Sequence, residues 1–168
     1  MLYSMTVPQF VRTLTNLEKF LDKGAAYADS KKFEMSVLLN SRLAPDQFPL
    51  LKQVQIVTDT AKLCCARLTG KEAPTHDDKE TTLPELKKRV QETIKYIKSL
   101  NESDFKGTES KKITTPRWEN KWLTGTDYVH EHALPNFYFH TTLAYSILRH
   151  NGVDLGKKDY LGELSFQH

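Results

Sequence analysis

A chain of 168 residues with 39% hydrophobic and 27% charged residues has the length of one domain, spanning 1–168, and enough apolar material for one core. The formal charge of +3 carries no nucleic-acid signature. No apolar run reaches the roughly 20 residues of a membrane span, and the N-terminus lacks the basic and apolar blocks of a secretory signal. Cys64 and Cys65, the only cysteines, are adjacent, which excludes a disulfide scaffold and points to a reduced, cytoplasmic setting.

Four long segments carry helical periodicity. In the first, Pro8 stands near the start, and Phe10, Leu14, Leu17, Leu21 and Ala28 then recur on one face. Proline is tolerated in a first turn because its missing N–H would have had no partner there. A loop with a short helix between Phe33 and Leu43 follows. The second helix is predicted from about Pro49 to Leu68, stopped by Gly70, with Leu50, Val54, Val57, Ala61, Cys65 and Leu68 inward. Ile56 and Leu63 form a second apolar face on it, so either this helix is central or its second face meets a partner chain. Residues 71–81 read as a polar, acidic loop. Thr82 and Glu85 have the spacing of a capping box and open a third helix with Leu86, Val90, Thr93, Ile97 and Leu100 inward. Its Lys87, Lys88, Lys95 and Lys98 are offset by Glu85 and Glu92 and lack interleaved aromatics, which makes them a solvated face.

Residues 101–125 break the periodicity, and two short strands are predicted around the Pro116–Asn120 turn. The last helix runs from about Thr126 to His150 and stops at Asn151-Gly152, with Pro135 kinking it or marking a later start. The pattern is all-α: an up-and-down four-helix bundle with a short irregular or β-hairpin excursion before the last helix.

The chemistry concentrates on that last helix. Val129, Ala133, Phe137, Ala144, Ile147 and Leu148 define its inward stripe, and Asn136 and His140 fall within it, four residues apart and therefore neighbours. As a satisfied core pair they would fix helix register; as a pocket lining they would bind a ligand, in the place where bundles hold such sites. Gln53 and Gln55 flank the second helix's stripe on opposite sides, and one of them should face His140. Thr58 lies within that stripe and Asp59 toward the outer side. His132 reaches the pocket if the Pro135 kink turns it there, and Arg42, in a Pro-bounded loop, would cap it against an anion. No His-x-x-x-His pair occurs, and amides are poor ligands for zinc or nickel, so a divalent metal is disfavoured and His140 is the only strong candidate position. Gly-rich phosphate loops, Cys-x-x-Cys and Gly-x-Ser-x-Gly are absent; one of the two cysteines faces inward and is inert.

The stretch RLAPDQFPL at 42–50, continuing to Gln53 and Gln55, together with LPNFYFH at 134–140, ILRHNGV at 147–153 and GKKDYLG at 156–162, resembles the DUF1993 family. That family is similar to the DinB-like four-helix bundles, many of which form homodimers through helix faces. The resemblance implies the same use for Ile56 and Leu63, and for Leu134, Tyr138 and Tyr145. DinB-like relatives carry three metal-binding histidines. Matching the last helix puts His140 at the final ligand, Asn136 at the preceding one, and Gln53 or Gln55 at the second-helix ligand, leaving a degenerate metal site that survives as a polar pocket. Two readings follow: a small-molecule-binding protein without a full metal site, or a DinB-like enzyme of transferase or isomerase type using His140 as general base or residual metal ligand.

Overall fold

In the computed structural model, which describes residues 1–167, helix α1 (Leu2–Lys31) is the longest element, and Phe10, Leu14, Leu17, Leu21 and Ala28 are buried along it. The helix begins earlier than the sequence suggests, so Pro8 lies in its second turn rather than its first. The carbonyl that loses its donor there belongs to Ser4, which is exposed to water, as is Pro8 itself. A short helix, α2 (Met35–Asn40), leads to α3 (Leu50–Thr69), which ends as expected at Gly70 in the left-handed conformation, φ 77°. Helix α4 (Leu83–Lys98) starts where the Glu85 carboxylate accepts the backbone N–H groups of Thr81 and Thr82 at 2.8 and 2.9 Å.

The excursion folds as a two-residue hairpin. Strand β1 (Lys112–Ile113) pairs antiparallel with β2 (Leu123–Thr124), Ile113 opposite Leu123, around a turn that carries Pro116, Arg117 and Trp118. A single turn, α5 (Gly125–Asp127), then runs into a π-helical segment at Tyr128–Ala133 and on into α6 (Leu134–His150). The predicted Thr126–His150 helix is thus continuous in path but changes its winding at the proline. Pro135 has no N–H to give and its ring crowds the carbonyl of Glu131; the widened turn, in which the Leu134 N–H reaches back to the Val129 carbonyl, relieves that crowding without breaking the helix. A last short helix, α7 (Lys157–Leu161), lies against α1.

Helices α1 and α3 each pack against both α4 and α6, closing a four-helix bundle around the leucines of α1 and α3, Val90, Phe137 and Ile147. Of the apolar faces from which the sequence suggests a dimer, Leu134, Tyr138 and Tyr145 are half-buried against the core, and Ile56 and Leu63 stay half-exposed. Tyr145 packs on Phe20 and Tyr160 at 5.9 and 5.8 Å between ring centres. Ile56 and Leu63 line a cavity described below. Both cysteines, rather than one, are fully buried; burial pushes both thiols up, Cys65 to about 12, so both are inert at neutral pH. No helix among the described residues is long and apolar enough to cross a membrane.

Candidate functional site

On α3, residues 53, 56, 60, 63 and 67 recur at alternating spacings of three and four, the repeat of one helix stripe. This stripe faces the π segment and α6. Its polar members each meet a partner: Gln53 meets His140, Thr60 meets Asn136, and Arg67 meets Tyr128. Between them Ile56 and Leu63 form an apolar wall. The hairpin turn supplies Arg117 and Trp118 at the Arg67 end, and Phe48 and Lys52 close the other. The half-open cavity measures about 470 Å³, room for a metabolite-sized molecule.

Hydrogen-bond direction fixes what the cavity offers. Gln53 is buried, and its Nε2 donates to the Phe48 carbonyl at 2.9 Å, which turns its Oε1 toward His140 Nδ1 at 2.6 Å. An amide oxygen only accepts, so His140 carries its proton on Nδ1 and keeps a lone pair on Nε2. Burial lowers the His140 pKa from its ordinary 6.5, which keeps the ring neutral at pH 7. Asn136 Nδ2 donates to Thr60 Oγ1 at 2.8 Å, and that hydroxyl donates in turn to the Ile56 carbonyl at 2.7 Å. Asn136 Oδ1 therefore remains a second acceptor without a protein partner among the described residues.

The structure sorts the glutamines by helix phase. Two residues from Gln53, and about 200° around the helix, Gln55 turns toward α4 and donates to Glu80 at 2.9 Å. His140 and Asn136 are half-buried at the cavity edge of α6, whereas Phe137, Ala144 and Ile147 occupy the bundle core. The pair thus lines a cleft and is not the centre of the core stripe. His132 does join the cavity, because each residue of the widened π turn advances by less than the α-helical 100° and brings it round. It stacks on Tyr128 at 5.6 Å and meets the Trp118 ring at 5.2 Å, and its Nδ1 is buried without a hydrogen-bond partner. Arg42 does not cap the pocket. It is exposed, 3.4 Å from the Pro45 carbonyl, because its loop curls back on itself through the Gln47 N–H to the Ala44 carbonyl; Phe48 is the residue of that loop that reaches the cavity.

Behind the wall lies a charged cluster that the sequence does not advertise. Arg89 is 1% exposed, and its fork reaches Asp78 at 2.6 Å, Asp59 at 2.7 Å and Glu80 at 3.0 Å, with Nε on Thr58 Oγ1 at 2.7 Å. Lys62 and Lys52 complete the neutralisation, Lys62 on Asp59 at 2.9 Å and Lys52 on Asp78 at 2.6 Å. Asp59 and Asp78 also face the cavity, so their charge is already answered before any ligand arrives. The signal for Arg89 was its position in the inward stripe of α4, between Leu86 and Val90.

The family model for a domain of unknown function, DUF1993, matches residues 2–161. The chain belongs to the DUF1993 family. A crystal structure of a DinB family member protein from Shewanella denitrificans is 54% identical over 100% of the DUF1993 chain and 96% of its own, with a TM-score of 0.96. No curated protein matches it.

The residues present do not fit the three-histidine metal site that the DinB-like resemblance implies. The corresponding positions hold one imidazole and two neutral carboxamides, with the Gln53 oxygen taken by His140 and the nearby Asp59 taken by Arg89 and Lys62. Among the described residues no group of three or more His, Cys, Asp and Glu side chains is arranged to hold a metal ion.

The same groups set a pH dependence. Burial depresses His132 and His140, and burial together with Lys62 and Arg89 depresses His76, below the ordinary 6.5. The unfolded chain therefore takes up these protons first, and the stabilisation they represent is complete above pH 6.5 and is lost as pH falls below it. Burial opposes ionisation of Asp78 and Glu80, yet Lys52 and Arg89 on the first, and a backbone N–H with Arg89 on the second, hold both below their ordinary 3.8 and 4.5. Their contribution is lost in turn as pH drops through that range, with the same sign. The DUF1993 chain should lose melting temperature continuously as the pH falls from 6.5 to 4; a midpoint that is flat or rises over that range would contradict these assignments.

Proposed function

We propose that this chain binds a small molecule in the cleft between α3 and the π segment and α6, without a resident metal. The observation that supports it most is the paired anchoring of His140 by Gln53 and of Asn136 by Thr60. Each anchor spends one polar atom on the protein and leaves another, His140 Nε2 and Asn136 Oδ1, on the cavity side as an acceptor. Two oriented acceptors beside an apolar wall recognise the N–H or O–H groups of a ligand with little reorganisation.

The experiment is a thermal-shift screen of metabolites on untagged protein, followed by titration of the hits. A ligand present at 100 times its Kd stabilises by about 2.7 kcal/mol, and His140→Ala and Asn136→Ala should each weaken binding at least tenfold. Zinc or nickel should neither co-purify stoichiometrically nor raise the midpoint. Stoichiometric metal that disappears in His140→Ala, or hits whose affinity neither substitution changes, would overturn the reading.

A second reading, acid–base catalysis in the same cleft, is favoured by the His140 tautomer. A neutral imidazole held at Nδ1 with a free Nε2 is the arrangement of a general base. Turnover of a bound compound that His140→Gln abolishes, with its affinity retained, would select it.

A further inference from the structure

The two ends of the cavity differ in charge. Near its middle and its Phe48 end, Asp59 and Asp78 are each held by two cations, Asp59 by Arg89 and Lys62, and Asp78 by Arg89 and Lys52. Among the described residues, Arg67 at the other end has a single polar partner, the Tyr128 hydroxyl at 2.9 Å, and Arg117 on the hairpin turn has no ion pair. Burial pushes Tyr128 up to about 12, so the phenol keeps its proton and does not neutralise the guanidinium. His132 at this end is depressed by burial and by Arg67 and adds no negative charge. The cavity thus presents two unanswered guanidinium groups, and no carboxylate that its own neighbours have not already paired.

Arg67 is also oriented. Its Nη1 is tied to Tyr128 Oη and its guanidinium carbon lies 5.9 Å from the centre of the Tyr128 ring, which leaves the remaining N–H donors of the fork without protein acceptors among the described residues. The Tyr128 hydroxyl, having accepted from Arg67, still has its own proton to donate. A guanidinium held in this way suits bidentate recognition of a planar or tetrahedral oxyanion.

We propose that the Arg67 end of the cleft is an oxyanion subsite, and that the ligand carries a carboxylate or phosphate at one end and a hydrogen-bond donor at the other. This rests on the cleft being a binding site. Arg67 lies seven positions after Thr60 on α3, about 10 Å along the axis, with Leu63 between them and Trp118 across the cavity. The ligand is therefore elongated, with an apolar or aromatic middle, an anion at Arg67 and Arg117, and an amine, amide or hydroxyl at His140 and Asn136.

The test uses matched aryl and aliphatic amines that carry a carboxylate, a phosphate ester or a neutral carboxamide at the far end. Binding to the full chain is followed by backbone amide chemical shifts. The expected result is at least tenfold tighter binding of one of the anionic series than of the carboxamides, with shifts at the cavity, a preference that weakens with added salt. Whether carboxylate or phosphate leads identifies the oxyanion. Arg67→Gln should weaken the anionic compounds at least tenfold more than the carboxamides and so abolish the preference, and Arg67→Lys should restore part of it. Equal binding of anionic and neutral compounds, or a preference that survives Arg67→Gln, overturns the oxyanion subsite and leaves the cleft reading standing. Absence of cavity shifts for every compound at 10 mM overturns both.

Discussion

Replacing Arg89 with methionine is expected to destabilise the protein by about 3 kcal/mol, the lower end of what removing one partner of a buried ion pair costs. The side chain is 1% exposed and answers three carboxylates at once, through a planar fork that no other residue reproduces. Methionine fills much of the volume, so the loss comes from leaving Asp59 and Asp78 with one lysine each, Glu80 without its guanidinium and the Thr58 hydroxyl without its Arg89 donor. Those carboxylates retain 33%, 34% and 13% exposure, and water repays part of the deficit; hence the lower end. Lysine keeps one charge but not the fork, and should recover less than half of the loss. Urea denaturation at pH 7 measures both. Asp78 and Glu80, no longer held down by Arg89, take up protons as the pH falls toward 4, and the difference between wild type and Arg89→Met should shrink. A loss below 1 kcal/mol at pH 7, or one that grows on acidification, would show that the cluster does not hold the loop at residues 71–82 to the bundle.

Gly125→Ala is expected to cost about 2–3 kcal/mol, in the range for forced overpacking. A Cβ at Gly125 would fall 1.9 Å from the backbone oxygen of Thr108 and 3.2 Å from Leu68 Cδ2. The first of these is main chain and cannot rotate away. The contact lies where the excursion meets the start of the last helix, beside the bond from the Thr126 N–H to the Glu109 carbonyl at 3.0 Å. Displacement there should move the hairpin turn, and with it Arg117 and Trp118, so amide exchange should quicken through residues 108–124 while the bundle core stays protected. Gly156→Ala is the control. Its Cβ would meet only Asp159 Oδ2 at 3.9 Å, and the change should stay within about 0.5 kcal/mol. Equal effects at the two glycines would contradict the packing described.

The bundle is legible in the sequence because apolar residues at spacings of three and four commit a face, and α1, α3, α4 and α6 each keep one long face. Gly70 and the Thr82–Glu85 pair mark helix ends by local chemistry that tertiary contacts do not override. Pro135 announces a disturbance in the last helix but not its form. A π turn depends on the balance between the proline clash and continued packing of Val129, Ala133 and Phe137, and no single residue encodes that balance. His132 reaches the cavity through that turn.

Of the site, the Gln53, Asn136 and His140 positions follow from helix phase and from the resemblance. Thr60, Arg67 and Tyr128 escape notice because one is a common core threonine, one a helix-end arginine and one an aromatic in the last helix. Only the pairing of α3 with the π segment reveals them as one row. Ile56 and Leu63 illustrate a general ambiguity. A second apolar stripe is the same pattern whether it faces another chain or lines a cleft, and the cleft that these two residues line is half open. Arg42 is misleading for the opposite reason: its loop position says that it lies near the site, while the turn between Ala44 and Gln47 points it away.

The most direct measurement of the central claim is the protonation of His140 by long-range proton–nitrogen correlation of the histidine rings at pH 7, before and after one equivalent of zinc. The Gln53–His140 hydrogen bond requires a neutral ring with the proton on Nδ1 and an unprotonated Nε2, unchanged by zinc and lost from the spectrum in His140→Gln. In Gln53→Leu the ring should no longer be fixed in that single tautomer. An imidazolium, a proton on Nε2, or a zinc-bound nitrogen at His140 would contradict it.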